Sequence, residues 1–488
     1  MGTLALVLSI IIGIILTGVV VLIILDESTP AAKSAWLLII TFLPIVGLVL
    51  YFLLGFNFRK HFLFNRRHRV SQEKLRDEST HALNHLLYNL DHIDKVKKEF
   101  APFVKLMHHH LTSLSVGNSF EIITKGERKY ELLLRDISAA KESIHIEYFR
   151  FGNDEGGRAV RAAMMEKARQ GVKVRFIHEN IANLRIPNRF YWDMTKAGVE
   201  VVKYNYPHGG FLKAFTQLNY RNHRKIVVID GRIGYTGGMN INDHYFHEWR
   251  DTHLRIMGDA VATLQATFLD NWLTSGGKLD LKVSEYFPML KEKIVPDFEE
   301  GPAVFHDKPM LCLPDEPLSV YPMIQLSYEW IFQNAKKYIY VQTPYMVPPP
   351  QLLDSMKIAA LSGVEVFLMI PKVNDTALVG PANRAYYMEM IESGIRIFER
   401  NAEFCHAKTF VCDDYVTQVG TANLDYRSFN INSEINTYIF DEETALYYKD
   451  VFLRDLPLCD EVTAEKWSRR KWYNRFGERV MKLFAPLL

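Results

Sequence analysis

One pattern in this chain occurs twice at the same spacing, and it limits the possible folds more than any other feature. The first copy, NHRKIVVIDGRIGYTGGMN, runs from Asn222 to Asn240. The second, CHAKTFVCDDYVTQVGTAN, runs from Cys405 to Asn423. His223, Lys225, Asp230, Gly237 and Asn240 have counterparts 183 positions later at His406, Lys408, Asp413, Gly420 and Asn423. Each histidine is followed 28 residues on by an acid, Asp251 in the first copy and Glu434 in the second. Such a duplication implies two similar halves related by a pseudo-two-fold axis.

The pattern also carries chemistry. Each His-x-Lys opens a β-branched run, so each reads as a strand. Alternation then puts His223 and Lys225 on one face and turns Arg224 away. An imidazole beside an ammonium, followed by small residues and an Asn, makes an anion site with a nucleophile in it. Lys225, Lys408, Asn240 and Asn423 are candidates to hold phosphate oxygens, and glycine lets the backbone approach closely. The acid at +28 can hold the far ring nitrogen of its own histidine, which pairs Asp251 with His223 and Glu434 with His406. Asp230 and Asp413 complete the motif, but their odd offset from the histidine faces them away, so their role reads as structural. One His-x-Lys-x4-Asp is a weak signal, whereas two complete copies with matching extensions are a strong one.

The paired motifs resemble those of the phospholipase D superfamily. The flanks, 218–231, WRDTH at 249–253 and the run from His406 to Glu434, are similar to bacterial cardiolipin synthases. One departure is Gly238, where many superfamily members have Ser or Thr, as the second copy has at Thr421. That removes a possible hydroxyl donor from the first half-site.

The resemblance implies a reversible phosphatidyl transfer from one phosphatidylglycerol to another, giving cardiolipin and glycerol through a covalent phosphohistidine. It leans toward His223 as nucleophile and His406 as acid and base. The lysines and asparagines neutralise the phosphodiester, so neither a metal nor another cofactor is expected. The nearest alternative is a phospholipase D-type hydrolase with water as acceptor. A lipid-binding protein with dead sites is disfavoured, because both motifs are complete.

At 488 residues the chain exceeds one domain. Its net charge of +2 gives no basic footprint, which argues against nucleic acid as a partner. The four cysteines show neither CxxC nor zinc spacing, which fits a reducing compartment. Cys405 reads as incidental, because Asn222 stands there in the first copy.

Residues 4–25 and 35–54 are apolar runs long enough to cross a bilayer, joined by a short loop. They read as a transmembrane helical hairpin over 1–56. The first run has no basic residue before it and is long for a signal peptide. Arg59, Lys60, Arg66, Arg67 and Arg69 follow the second run, against Lys33 alone in the loop, which places the catalytic part on the cytoplasmic side of a cell membrane.

Residues 57–118 read as a membrane-proximal connector. His108, His109 and His110 are consecutive, so they point in different directions and do not make a metal site. From about 119 strands alternate with helices, twice over, which predicts an α/β fold with a mostly parallel sheet covered by helices. The halves fall at 119–295 and 296–460, with 280–320, rich in proline and acids, joining them. The two histidine strands are expected to meet in a crevice at the interface. Residues 207–221 read equally as a lipid-touching loop or an ordinary exposed one. The basic and aromatic segment 461–488 suits either a helix on an anionic leaflet or one packed on the catalytic domain. Oligomeric state is not legible.

Overall fold

The computed structural model describes residues 2–25, 30–51, 81–108, 112–204, 220–280, 282–317, 319–376 and 379–484. The first half contains β1 (Leu114–Ile123), β2 (Ser143–Tyr148), β3 (Lys173–Glu179), β4 (Glu200–Tyr204), β5 (Lys225–Ile229), β6 (Ile233–Gly237) and β7 (His253–Met257). The second repeats the order as β8 (Val304–Asp315), β9 (Tyr338–Gln342), β10 (Glu365–Pro371), β11 (Arg396–Arg400), β12 (Thr409–Cys412), β13 (Val416–Gly420) and β14 (Asn432–Phe440), then adds an edge strand, β15 (Cys459–Val462). All belong to one sheet in the order β15-β11-β10-β9-β12-β13-β14-β8-β1-β7-β6-β5-β2-β3-β4.

The expectation of a mostly parallel sheet is corrected. Among these fifteen strands only β2, β3 and β4, and likewise β9, β10 and β11, pair in parallel with one another. Helices such as Glu155–Arg169 and Pro350–Leu361 cross between those strands. The motif strands that follow run antiparallel. The links are too short for a crossover: Ile229 pairs with Ile233 around a turn in which Asp230 and Gly231 both have positive φ.

A second correction concerns 280–320. Its prolines argue for a linker, yet β8 is a central strand, paired antiparallel with β1 of the first half and β14 of the second. Pro309 falls where the β1–β8 register shifts, opposite the irregular stretch between Ser115 and Asn118, so no ladder bond is needed from it. The two halves therefore share one sheet. Ile226, Val228 and Leu254 from one half and Val411, Val419 and Ile435 from the other are buried in the same apolar cluster. Each such side chain contributes about 1.5–3 kcal/mol on burial, so the halves stabilise one another.

At the N-terminus the first apolar run forms a helix, Gly2–Leu25. The second is broken at Pro44 into Pro30–Phe42 and Pro44–Leu50. Val19 and Ile23 pack on Trp36, Ile40 and Tyr51, while Ile14, Phe42 and Ile45 are exposed. Counted over the described residues, no helix is long and apolar enough to cross a membrane. The basic cluster from Arg59 to Arg69 lies outside the described residues, as do His109, His110 and most of 207–221.

Candidate functional site

Each histidine is delivered to the half it does not belong to. The two-residue strand Arg221–Asn222 runs parallel to Asn432–Ser433, and the His223 amide donates to the Ser433 carbonyl at 2.9 Å. That sets His223 beside Glu434. In the second half Arg250 pairs with Cys405, and the His406 amide donates to the Arg250 carbonyl at 2.8 Å. That sets His406 beside Asp251.

The expected pairing of each histidine with the acid of its own copy is therefore corrected to a crossed one. His223 Nδ1 lies 2.9 and 3.0 Å from the two Glu434 oxygens. His406 Nδ1 lies 2.8 Å from Asp251 Oδ2.

Both lysines are buried beside their histidines. Lys225 Nζ donates to the His223 carbonyl at 2.6 Å. Lys408 Nζ sits 2.7 and 2.9 Å from the ring nitrogens of His406. Burial pushes Lys225 down to about 7, a fall that Glu434 opposes and Lys408 reinforces. It pushes Lys408 down to about 8. Burial also holds His223 down to about 4 against the pull of Glu434, and lowers His406 well below its ordinary value with help from both lysines.

The two acids differ. Burial raises Asp251 to about 6. Glu434 is just as buried, yet the charge of His223, its hydrogen bond and Lys225 hold it below the usual carboxylate range, and the Thr421 hydroxyl fixes the next residue by donating to the Ile435 carbonyl at 3.2 Å. Gly238 offers Asp251 no such hydroxyl. The reason is space, because a Cβ on Gly238 would lie 2.0 Å from Asp251 Oδ1.

Asn240 and Asn423 sit in unlike settings. Asn240 accepts from the Arg150 amide at 3.1 Å and donates to the Tyr245 hydroxyl at 2.7 Å. The buried Asn423 side-chain oxygen accepts no hydrogen bond among the described residues. Asp230 and Asp413 lie away from the imidazoles, as parity predicts. The Asp230 carboxylate accepts the amides of Lys141, Glu142 and Ser143 at 2.7–2.9 Å. Asp413 does the same for Lys336, Lys337 and Tyr338 at 2.7–3.0 Å. Each ties a motif hairpin to the start of the neighbouring strand.

Other residues carry no sequence signal of their role. The Tyr245 hydroxyl lies 3.3 Å from both ring nitrogens of His406, so a first-half side chain reaches the second half-site. The fully buried Lys129 donates to the carbonyls of Met239 and Asn240 at 2.9 and 3.1 Å and braces their turn. Arg224 does turn away from the imidazole, and it bonds the Glu434 carbonyl at 3.0 Å and the Asp315 carbonyl at 2.8 Å, stitching the halves behind the site. Cys405 is buried, and burial raises its thiol. Among the described residues no three His, Cys, Asp or Glu side chains gather as metal ligands.

The family described as cardiolipin synthase, phospholipase D-like domain matches residues 133–272 and 330–456. The phospholipase D-nuclease N-terminal family matches 11–55. The major cardiolipin synthase of Bacillus subtilis (strain 168) is 34% identical over 478 residues, covering 96% of each chain. A cardiolipin synthase of Staphylococcus aureus (strain Mu50) is 34% identical over 473 residues, covering 93% of this chain and 91% of that one. In fold, the crystal structure of phosphatidylserine synthase from Haemophilus influenzae Rd KW20 aligns with a TM-score of 0.57 at 14% identity, covering 80% of this chain and 97% of that one. The chain belongs to the bacterial cardiolipin synthases of the phospholipase D superfamily.

Proposed function

We propose that this member of the cardiolipin synthase family moves a phosphatidyl group from one phosphatidylglycerol to the hydroxyl of a second, giving cardiolipin and glycerol, through a phosphohistidine. The observation that carries the reading is the crossed pair of His–acid contacts with two buried lysines, which makes one anion-binding centre out of both halves.

A phosphodiester anion changes the protonation of that centre. At about 4 Å and an effective dielectric near 20, each cation–anion contact is worth about 4 kcal/mol, or about three pKa units. That offsets most of the fall of Lys225 from 10.5 to about 7 and all of that of Lys408 to about 8, so both lysines hold their protons in the complex. It lifts His406 in the same way.

With Nδ1 donating to the Glu434 carboxylate, His223 presents the Nε2 lone pair to phosphorus. The P–N bond forms, the bond from phosphorus to the glycerol oxygen breaks, and His406 gives that oxygen its proton. The second phosphatidylglycerol then enters. Its hydroxyl passes a proton to His406 as its oxygen attacks phosphorus and the P–N bond breaks. Lys225, Lys408, Asn240 and Asn423 hold the phosphate oxygens, Asp251 orients His406, and no metal takes part.

We further propose that residues 1–56 anchor the chain as a helical hairpin with the catalytic halves in the cytoplasm. The uncharged apolar run of the sequence over 4–25 supports this, as does the N-terminal family match over 11–55.

The test uses purified full-length protein in phosphatidylglycerol vesicles with excess chelator, counting cardiolipin, phosphatidic acid and glycerol together. Equal amounts of cardiolipin and glycerol are expected. Phosphatidic acid in their place would make water the acceptor, and a loss of turnover restored only by added metal would overturn the metal-free mechanism.

A further inference from the structure

The closing helix, Trp472–Leu483, is amphipathic in the opposite sense from a surface helix of a soluble domain, which turns its apolar stripe to the core. At about 100° per residue, Trp472, Tyr473, Phe476, Val480 and Leu483 fall within one arc of about 100°. Four of them point to solvent: Trp472 is 71% exposed, Tyr473 51%, Phe476 63% and Leu483 59%.

The side turned to the protein joins one apolar contact, Met481 on the core, to charged groups. Glu478 is buried there, held by Arg470 at 2.6 and 2.8 Å and lying 3.4 Å from Arg384. Lys482 reaches Glu389 at 3.0 Å. The helix is thus fixed by ion pairs with its aromatic face outward.

The charge around that face is one-sided. Of the seven Lys and Arg in residues 466–484, Arg469, Arg470 and Lys482 pair with Glu465, Glu478 and Glu389, and Lys471, Arg475 and Arg479 lie outside those pairs on a helix whose one acid, Glu478, is already used. Arg475 and Arg479 border the apolar arc. Aromatic rings flanked by arginines match the headgroup zone of an anionic bilayer, where rings sit at the interface and cations meet lipid phosphates. Two copies of the face would bring like charges together, which disfavours self-association.

We propose that this face docks on an anionic lipid bilayer and holds the catalytic body against the membrane. The choice of an anionic lipid rests on the proposed phosphatidylglycerol reaction, while the orientation of the helix does not.

The test uses the full chain with Cys459→Ser and Phe476→Cys, carrying an environment-sensitive fluorophore; Cys312, Cys405 and Cys412 are buried. Vesicles are phosphatidylcholine alone or with phosphatidylglycerol, each with acyl-chain doxyl lipid as quencher. Blue-shifted emission quenched roughly twofold or more is expected with phosphatidylglycerol, and most of it should be lost on adding Arg475→Glu and Arg479→Glu. A label that stays in water in every vesicle overturns the proposal. So does quenching that ignores both lipid charge and the reversed arginines, or label-to-label transfer that rises with protein density, which would mean a second copy covers the face. Because the readout needs no turnover, a quenched label without cardiolipin formation would sink the proposed reaction and leave the docking surface standing.

Discussion

Restoring the hydroxyl that many superfamily members carry at position 238 should damage this protein. In Gly238→Ser the new Cβ would meet all three terminal atoms of Asp251, at 2.0, 2.6 and 2.7 Å. Ordinary contact begins near 3.4 Å, so the carboxylate must retreat by about 1.4 Å (3.4 less 2.0). It is now held by His406 Nδ1 at 2.8 Å and the Thr252 amide at 2.7 Å, and a shift of that size breaks both. A hydrogen bond to a charged group is worth about 1.5–3 kcal/mol, so the pair is worth about 3–6 kcal/mol. If only about 3 kcal/mol of this supports the transition state, kcat falls about a hundredfold. The assay is initial rate against phosphatidylglycerol in vesicles, with thermal melting alongside. Gly238→Ala should behave the same way, because the Cβ alone does the harm. Adding Gly238→Ala to Asp251→Asn should cost little more than Asp251→Asn alone, since both act on one contact. Wild-type kcat in Gly238→Ser, or additive losses in the double variant, would refute the reasoning.

The crossed pairing predicts that Glu434→Gln perturbs the ring-nitrogen resonances of 15N-labelled His223 and leaves those of His406 in place, while Asp251→Asn does the reverse; the opposite assignment would mean the acids serve their own copies. Turnover should fall about 10³–10⁴-fold in each, the scale set when a histidine loses the carboxylate that fixes its tautomer. Lysine holds phosphate only when protonated, and Lys225 and Lys408 are lowered to about 7 and 8. So kcat/KM, which follows the free enzyme, should fall as pH rises through 7 to 8, whereas kcat, which follows the complex, should turn down at higher pH; kcat/KM rising across that window would be the contrary result. Asp230→Ala or Asp413→Ala should cost about 2–4 kcal/mol of stability, combining the lost amide contacts with the strain of alanine at a φ of 51°, and change kcat only a few-fold. A collapse of kcat with unchanged melting would move these aspartates into the chemistry.

The duplication, the motif strands and the outward turn of Asp230 and Arg224 were legible because they follow from spacing and pleat parity. The partner of each histidine was not. A repeat gives both acids the same offset, so within-copy and crossed contacts look alike in sequence; the choice is made by short parallel pairings such as Arg221 with Asn432. The central strand β8 was hidden by Pro309 and Pro314, which weaken any strand pattern, and the register shift against β1 that accommodates Pro309 arises only when distant segments meet. Tyr245 and Lys129 were illegible for a related reason. Tyr245 follows Asn240 by five residues in no recognisable motif, and Lys129 lies on a helix, Gly126–Ala139, whose pattern is that of an ordinary amphipathic segment.

The two halves are alike, but the transfer proposed above needs its histidines to differ from the start, one offering a lone pair and the other a proton. Residues 238 and 421 bear on that difference. Thr421 has room for a hydroxyl, which donates to the Ile435 carbonyl at 3.2 Å and accepts the Ile435 amide at 2.8 Å and so fixes the strand that carries Glu434; His223 and Lys225 hold that carboxylate below the usual range, which favours the His223 tautomer with Nε2 free. Gly238 leaves its space to the Asp251 carboxylate itself, which has no hydroxyl donor there and is raised to about 6. The His406–Asp251 pair therefore holds a proton at higher pH than its own burial would suggest for the imidazole alone, and Tyr245 adds a hydroxyl beside it. In the proposed mechanism this difference suits His223 as the nucleophile and His406 as the acid. Thr421→Gly should then slow formation of the phosphohistidine more than its breakdown in a single-turnover experiment, while Tyr245→Phe should weigh on the steps in which His406 gives and takes the proton. Equal slowing of both steps by Thr421→Gly would mean that the halves are chemically interchangeable and that the asymmetry of the acids has no part in the order of events.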